Sequence, residues 1–329
     1  SIFHCASRFQ YAALALLSLA HGQASASTAN CAWWQPGKAY PKGCNNNALR
    51  DVDDTSVLYI SDGYSDCGKT GSGSLFAKTT HNGQDCGVAD LNGLMGEISI
   101  GATCIADSKN IVGATKANPC EVTVNAHGYA NGTIIMITGV VGMTELNNKL
   151  YTITVTGENT FTLDGVNSSG YTDYVSGGTV TTGTFYAAKQ ATRMKDFTPG
   201  NALATDHWGA TGVAALMEPF SPAFQTAGGG IITHRFGSEN QVLSEATSGD
   251  GWLLTGLGIP NDVNGLDTTG TDLFFGQDQY SQYIRNDLCL TSCSHWYLGS
   301  FAGVWAVSWY GYRTYVSDSV GFRCGAYLV

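Results

Sequence analysis

The cysteines are the residues of this chain best suited to covalent or metal chemistry, and several occur in close pairs. The sequence holds ten. Cys289 and Cys293 stand next to His295, a spacing that suits a redox pair, a metal site or a local disulfide. No CxxC pairs with a second CxxC or with a spaced pair of histidines, which argues against a metal. We expect disulfides of open connectivity, with free buried thiols as the alternative, in a protein that works outside a reducing cytosol.

Two other kinds of stretch could hold a ligand. The glycine-rich loop Gly68–Ser74 lacks the GxxxxGK[ST] pattern and a strand–loop–helix context, so we expect a surface loop rather than a phosphate site. The acidic clusters Asp51–Asp54 and Asp62–Asp66 offer oxygen ligands for a structural Ca²⁺, although solvated acidic loops are the commoner use of such residues. No other cofactor is expected, and no G-x-S-x-G or H-E-x-x-H motif occurs.

The C-terminal tail carries a high density of aromatic side chains. It reads CSHWYLGSFAGVWAVSWYGYRTYVSDSVGFRCGAYLV. Buried strands alternate cleanly or are rich in Val, Ile and Leu, whereas this tail mixes Tyr with Ser, Gly and Asp. That mixture is typical of binding surfaces, where aromatic side chains supply contact area at low entropic cost. The tail therefore predicts an exposed binding face, with an ordinary aromatic core as the alternative.

The same tail resembles the variable region of proteins diversified by retroelements, which have the C-type lectin fold of the formylglycine-generating-enzyme type. In that family a Trp, two variable positions and Gly-Ser precede another variable position and AGV, and VGFR follows. Here Trp296 precedes Tyr297 and Leu298, then GS, Phe301 and AGVWAV, and the chain closes with VGFRCGAYL. The resemblance implies an α+β C-type lectin fold with a variable ligand-binding region over 294–320.

The resemblance also implies which tail positions vary. Adenine-directed mutagenesis acts on AAC or AAT codons, which can become Tyr, Phe, Leu, His, Ser, Gly, Asp or Val codons but not Trp codons. The implied ligand-contacting positions are Tyr297, Leu298, Phe301, Ser308, Tyr310, Gly311, Tyr312, Tyr315, Asp318 and Ser319, with His295 and Val316 as further candidates. The implied scaffold is Trp296, Trp305, Trp309, Gly321, Phe322 and Arg323, together with 299–300 and 302–304. Arg323 is expected to be structural.

Composition narrows the possible partners. The formal net charge is −10 and the chain shows no Lys/Arg stripe, so nucleic acid is not an expected partner. No stretch reaches the ~18–20 apolar residues of a transmembrane helix, so membrane insertion is not expected. A host-surface or other protein ligand of partly apolar character would suit an aromatic face.

Two helices are expected to support this tail. The segment SRFQYAALALLSLAHGQASAS mimics a signal peptide, but we expect a core helix that stays in the mature protein. Its inward face would consist of Phe9, Ala12, Ala13, Leu16, Leu17 and Leu19. A second helix is predicted after Asp206 as N-cap. Its apolar face would consist of Ala210, Val213, Ala214 and Met217.

Residues 107–185 differ from their surroundings. Short β-branched segments separated by Gly, Asn and Asp turns at roughly 8–12-residue spacing predict an all-β sandwich or barrel. The stretch resembles a β-module of viral tail proteins and is similar to the β-domain in the first catalytic-cysteine half of ubiquitin-activating enzymes. That resemblance implies a spacer or ligand platform. We expect a discontinuous lectin-fold domain over 1–106 and 186–329, interrupted by this insert.

The sequence thus predicts a non-catalytic receptor-binding protein at the virion surface or otherwise extracellular, of the tail-fibre adhesin type. One alternative is a formylglycine-generating-enzyme-like oxidase that uses Cys289 and Cys293 to bind copper. A calcium-dependent sugar lectin is disfavoured because the EPN, QPD and WND motifs are absent. A structural tail component without a ligand is the remaining alternative.

Overall fold

A computed structural model describes part of the chain. The residues described are 2–24, 95–189, 216–222, 227–230, 234–236, 253, 256–259, 266–267, 279–295, 303, 305–312, 314–317 and 319–327. The expectations for the glycine-rich loop, the acidic clusters, Cys31, Cys44, Cys67, Cys86 and Asp206 all fall outside these residues.

The described residues form one α-helix and a series of short strands. Helix α1 spans Arg8–Ala24. The strands, in chain order, are β1 Ile2–Cys5, β2 Gly96–Ser99, β3 Ala102–Asn110, β4 Gly113–Ala114, β5 Glu121–Thr123, β6 Ile134–Val141, β7 Lys149–Val155, β8 Thr160–Leu163, β9 Ser176–Ala188, β10 Met217–Phe220, β11 Ala227–Gly230, β12 His234–Phe236, β13 Leu266–Asp267, β14 Gln279–Ser281, β15 Leu290–Ser292, β16 Val307–Ser308, β17 Val320–Phe322 and β18 Cys324–Tyr327.

A capping box starts helix α1. The Gln10 side chain accepts a hydrogen bond from the Ser7 backbone N–H at 2.8 Å, and the Gln10 N–H donates to the Ser7 hydroxyl at 3.3 Å. Together these bonds satisfy two N–H groups that would otherwise lack partners at the helix N-terminus. The prediction of a helix here is confirmed. No helix within the described residues is long and apolar enough to cross a membrane.

The buried face of α1 differs from the predicted one. Tyr11, Ala12 and Ala15 are buried, whereas Ala13 is exposed and Phe9 is half-buried. At 3.6 residues per turn, positions 8, 11, 12 and 15 share one face and position 13 points away from it. The buried face therefore includes Arg8, a charged residue that the spacing of apolar residues does not predict to be buried.

The strands form three sheets. Strands β1 and β18 make a two-stranded sheet. A nine-stranded sheet runs β10-β9-β6-β7-β8-β5-β4, with β3 also paired to β9 and β11 to β7. A seven-stranded sheet runs β13-β12-β14-β16-β15-β2-β17 and so includes the C-terminal tail.

The insert has its own hydrophobic core, and its longest strands reach into the rest of the molecule. The insert core includes Val122, Ile153 and Phe161. A second core joins residues of α1 and the tail to Phe185 and Ala187 at the end of β9. Strands β3 and β9 pair along nine residues, from Ala102 opposite Ala187 to Asn110 opposite Thr179. The five segments expected to be strands within 107–185 are strands in the structure.

The predicted fold class is wrong. The structure is mostly β-sheet, and its two large sheets with one helix in the described part are not an α+β C-type lectin fold. Met217, expected on the face of a second helix, instead begins strand β10. There Met217 to Phe220 pair with Ala188 to Phe185 of β9. The long strand β9 offers an unpaired edge, and this long-range pairing overrides the local helical spacing.

Candidate ligand-binding surface

Two parallel strands bring distant tyrosines together. Strands β14 and β16 pair in parallel, with Ser281 opposite Ser308. The segments that follow the two strands therefore leave the sheet side by side. One segment carries Tyr283 and Arg285, and the other carries Tyr310, Tyr312 and Tyr315. We call these five residues the tyrosine surface.

The Arg285 guanidinium lies among three of these rings. Its central carbon is 4.7 Å from the centroid of the Tyr283 ring and 4.9 Å from those of Tyr310 and Tyr312. Its Nη1 also donates a hydrogen bond of 2.7 Å to the Tyr310 carbonyl oxygen. Each cation–π contact at such a partly exposed site contributes about 0.5–1 kcal/mol. The arginine thereby fixes the positions of rings that come from two separate segments.

The rings also contact one another edge to face. Tyr310 lies 5.5 Å from Tyr283 and 6.3 Å from Tyr315, and Tyr312 lies 5.7 Å from Tyr315, as measured between ring centroids. Tyr310 and Tyr312 are 39% and 38% exposed, so both offer ring area to solvent while they remain packed. A surface whose side chains are already ordered loses little entropy when it binds.

Two tryptophans support this surface from below. Trp305 and Trp309 are both fully buried. The Trp309 ring packs against Phe185 of β9 at 5.2 Å and Phe220 of β10 at 6.1 Å between centroids. The long strand that leaves the insert therefore contacts the residue directly before Tyr310, and the insert and the tyrosine surface share one core.

A pocket of about 200 Å³ opens beside Tyr310 and Tyr315. Its described lining carries no carboxylate, lysine or arginine and is mostly hydroxyl-bearing, apart from the amide of Gln279, the imidazole of His295 and two aliphatic residues. The remaining lining residues are Ser281, Thr291, Ser294, Ala306, Val307 and Ser308. The Ser294 hydroxyl is buried and has no hydrogen-bond partner among the described residues. A buried hydroxyl without a partner is costly, so the pocket favours an occupant that can hydrogen-bond to it.

The backbone that presents Ser294 is strained. Cys293 and Ser294 adopt φ angles of +70° and +62°, a region that side chains other than glycine rarely occupy. Such strain costs on the order of 1–3 kcal/mol per residue and concentrates at functional sites. The two residues turn the chain out of β15, so that Ser294 and His295 line the pocket.

Two of the predicted variable positions are buried. Ser319 is 1% exposed, and its carbonyl oxygen accepts a hydrogen bond from the Gly96 N–H. Gly311 is buried as well, and a Cβ at that position would lie 3.0 Å from the Cys289 carbonyl oxygen. Ser308 and His295 are half-buried, and Val316 is 89% exposed. Fewer of these side chains are therefore exposed to a ligand than the predicted variable set contains.

The tight contact at Gly311 gives a stability prediction. We expect Gly311→Ala to lower the free energy of unfolding by about 1–3 kcal/mol, because the added methyl group meets backbone that cannot easily move. Gly170→Ala is the matched control, since a Cβ there has nothing within 4 Å. Urea unfolding followed by circular dichroism measures both. Equal stability of the two variants would show that position 311 tolerates side chains, as a variable position must.

Several predicted site residues fall outside the described part of the chain. These are Trp296, Tyr297, Leu298, Phe301 and Asp318. Among the scaffold positions, Gly321 is half-buried and Phe322 is 69% exposed on β17. Tyr283, Arg285 and Ser294 were not among the predicted contact residues. The tyrosine-rich stretch DQYSQYIRN upstream of the tail is the signal that could have pointed to the first two.

Arg323 makes a buried, two-pronged ion pair with Glu97 of β2. Its Nε and Nη2 donate to the two carboxylate oxygens at 2.9 and 2.6 Å, and the Tyr11 hydroxyl donates to the same carboxylate. Burial by itself lowers the pKa of Arg323, but the hydrogen bonds and charge of Glu97 outweigh it and raise that pKa above its usual value. Burial, with the charges of Cys293 and Glu97, raises the pKa of Tyr11. Tyr11 therefore stays protonated as a donor.

The described residues offer little for a metal. No group of three or more His, Cys, Asp or Glu side chains lies close enough together within them to hold an ion. Cys289 and Cys293, the pair considered for copper chemistry, are both buried. Cys104 and Cys120 each carry a thiol, and burial raises the pKa of Cys104 to about 12.

Comparison with known families bears on the insert. Residues 115–183 match the family model described as the ubiquitin-activating enzyme E1 FCCH domain. The match lies inside the segment expected to form the insert and covers less than a quarter of the chain. No curated protein matches the sequence.

Proposed function

We propose that this chain is a non-catalytic receptor-binding protein whose tyrosine surface contacts a protein ligand. The observation that carries the proposal is the set of partly exposed, mutually packed tyrosines held around Arg285 on buried tryptophans. Tyr, Trp and Arg dominate binding hot spots because they combine large contact area with hydrogen bonding. A surface of this kind suits a partly apolar protein better than a highly charged ligand.

The pocket beside the tyrosine surface adds a specificity element. Because the part of its lining that the structure describes carries hydroxyls, an amide and an imidazole but no carboxylate, lysine or arginine, it suits a neutral polar side chain. An amide or hydroxyl group of the ligand would satisfy the Ser294 hydroxyl. The pocket would discriminate strongly between ligands with and without such a group, since a ligand that lacks it leaves the Ser294 hydroxyl unpaired.

We further propose that this surface is diversified by a retroelement and displayed at the virion surface, as in a tail-fibre-type adhesin. The resemblance of the tail supports this proposal. The difference in burial also supports it: the expected scaffold residues Trp305 and Trp309 are buried, whereas Tyr310 and Tyr312 are exposed. Substitutions at exposed positions usually change stability little, so the surface can vary while the fold is kept.

Population sequencing tests the diversification. In many individuals of the source population we expect substitutions to concentrate at Ser308, Tyr310, Tyr312 and Tyr315, together with the predicted positions outside the described residues, while Trp305 and the other tryptophans stay fixed. Variation spread evenly over the gene, or a constant tail, would overturn the retroelement proposal. A constant tail would leave the binding surface itself to be tested by mutation.

Mutation of the tyrosines tests the binding surface. Against a panel of purified ectodomains from the host surface, we expect Tyr310→Ser combined with Tyr312→Ser to weaken binding at least about 30-fold, the effect of losing one hot-spot residue. Surface plasmon resonance measures the change. Phe322→Ser is the matched control, because Phe322 is an exposed aromatic residue on the edge strand β17, which β15 and β2 separate from β16.

The control decides how the result is interpreted. Loss of binding in the double tyrosine variant alone supports the proposal. Equal loss in the Phe322 variant, or binding unchanged by removal of both tyrosines, would place the contact elsewhere. If no ectodomain binds the unmodified protein, a structural role without a ligand becomes the better account.

A further inference from the structure

The first and last described strands place two cysteines opposite each other. Strands β1 and β18 pair antiparallel, and Cys5 lies directly across from Cys324. Just beyond this pair, the Ala6 N–H donates to the Arg323 carbonyl oxygen at 2.8 Å, so the two segments stay in contact past the cysteines.

That geometry suits a disulfide. The Cα atoms of residues directly opposite each other in an antiparallel pair lie about 4.5–5.5 Å apart, with both side chains on the same face of the sheet. Disulfides span Cα separations of roughly 4.4–6.8 Å. The Cys5 thiol donates to the Ile98 carbonyl oxygen at 3.3 Å, and the Cys324 thiol is exposed. Solvent therefore reaches one partner, and rotation about the side-chain bonds can bring the two sulfurs together.

We propose that Cys5 and Cys324 are a redox modification site, which closes to a cross-strand disulfide when the protein meets a small-molecule disulfide such as oxidised glutathione. The pairing joins the two ends of the described chain. No other pair of described cysteines lies opposite each other in a strand pairing.

The reaction balances as two thiol–disulfide exchanges. The exposed Cys324 thiolate attacks one sulfur of the oxidant, forms a mixed disulfide and releases the first thiolate. Cys5 then loses its proton and attacks the Cys324 sulfur, which releases the second thiolate. Two protein thiols are oxidised, and the oxidant is reduced to two small thiols that take up the two protons.

The second exchange should be the slow one. Burial, with the negative charges of Cys324 and Glu97, raises the pKa of Cys5 to about 11. Little Cys5 is therefore ionised at neutral pH. Burial acts on Cys5 in the mixed disulfide as well, and because the thiolate is the attacking form, the rate of closure should rise as the pH is raised above neutral.

Closure would tie together elements that support the tail. Cys324 directly follows Arg323, the partner of Glu97, and Cys5 directly precedes the start of helix α1. A disulfide here spans nearly the whole chain, and long closed loops restrict the unfolded state most. We expect the melting temperature to rise by about 5 °C on oxidation.

Peptide mapping of the full chain tests the proposal. The protein is incubated with oxidised glutathione, its remaining thiols are alkylated, and it is digested with trypsin without reductant. Trypsin cuts after Arg8 and Arg323, so we expect the peptide that ends at Arg8 joined to the peptide that begins at Cys324 in the mass spectrum. Dithiothreitol should separate the two peptides and reverse the rise in melting temperature. Cys324→Ser, an exposed and mild change, should abolish that rise.

Two outcomes would overturn the proposal. One is recovery of both peptides in alkylated form after oxidation. The other is a disulfide from Cys5 or Cys324 to any other cysteine. Both outcomes are read on the unmodified protein, so the result does not depend on whether a variant folds.

Discussion

Replacing Arg8 by methionine should lower the free energy of unfolding by about 3–5 kcal/mol. Arg8 is fully buried at the start of helix α1. Its guanidinium donates five hydrogen bonds, of 2.7–3.4 Å, and four of the acceptors are main-chain carbonyl oxygens. The acceptors are the carbonyls of Leu257, Gly258, Trp305 and Ala306 and the hydroxyl of Ser292. Methionine fills similar space but leaves these buried oxygens without their donor, which costs far more than the lost contacts.

Two further variants separate hydrogen bonding from charge. Arg8→Lys keeps the charge but not the planar fork that reaches several carbonyls at once, so we expect an intermediate loss of stability. Lys116→Met is the control, because Lys116 is exposed and pairs with the still more exposed Asp173, a contact worth less than about 1 kcal/mol. Urea unfolding of the full chain, followed by tryptophan fluorescence, measures all three. If Arg8→Met is no less stable than Lys116→Met, the hydrogen-bond network around Arg8 does not support the fold.

Replacing Glu97 by glutamine should cost about 2–4 kcal/mol in unfolding free energy. Glu97 is the shared acceptor of Arg323 and Tyr11, so it connects helix α1, strand β2 and the residue after β17. Glutamine has the same shape but no charge, and it leaves a largely buried guanidinium beside a neutral amide. The Arg323 side chain is 27% exposed, so the expected loss of unfolding free energy is smaller than for a fully buried ion pair.

A double substitution shows whether the loss comes from the unpaired charge. We expect the combined Glu97→Met and Arg323→Met variant to recover at least half of the stability lost by Glu97→Gln, because no charge is then left buried without a partner. Tyr11→Phe removes only the hydroxyl donor and should cost about 1 kcal/mol. Thermal and urea unfolding measure the series. A double variant that is less stable than Glu97→Gln would mean that the ion pair itself, rather than the avoidance of an unpaired charge, stabilises this region.

The insert was predictable because its signals are local. Most of its strands are short β-branched segments separated by turns that contain Gly, Asn or Asp, and neighbouring segments such as β6 and β7 pair with each other. The start of helix α1 likewise depends on four consecutive residues, Ser7 to Gln10, which form a capping box. In both cases the determining contacts lie close together in the sequence.

The fold of the remainder was not predictable in the same way. Met217 lies in a segment whose apolar spacing fits a helix, yet it pairs with Ala188 in a strand. Arg8 reads as the basic residue of a leader-like segment, yet it is the most hydrogen-bonded side chain described in the core. Both outcomes depend on partners far away in the chain, and hydrophobic periodicity carries no information about such partners.

The proposed binding surface shows the same division. The sequence by itself determined that the tail is rich in tyrosine and tryptophan, and it separated tryptophans from the more variable-looking positions. Only the tertiary structure decided that Tyr310 and Tyr312 are exposed while Gly311 and Ser319 are buried, and that Tyr283 and Arg285 complete the surface. The physical reason is the parallel pairing of β14 with β16, which brings segments some twenty-five residues apart side by side. Composition fixes which side chains are available for binding, but long-range strand pairing fixes which of them meet.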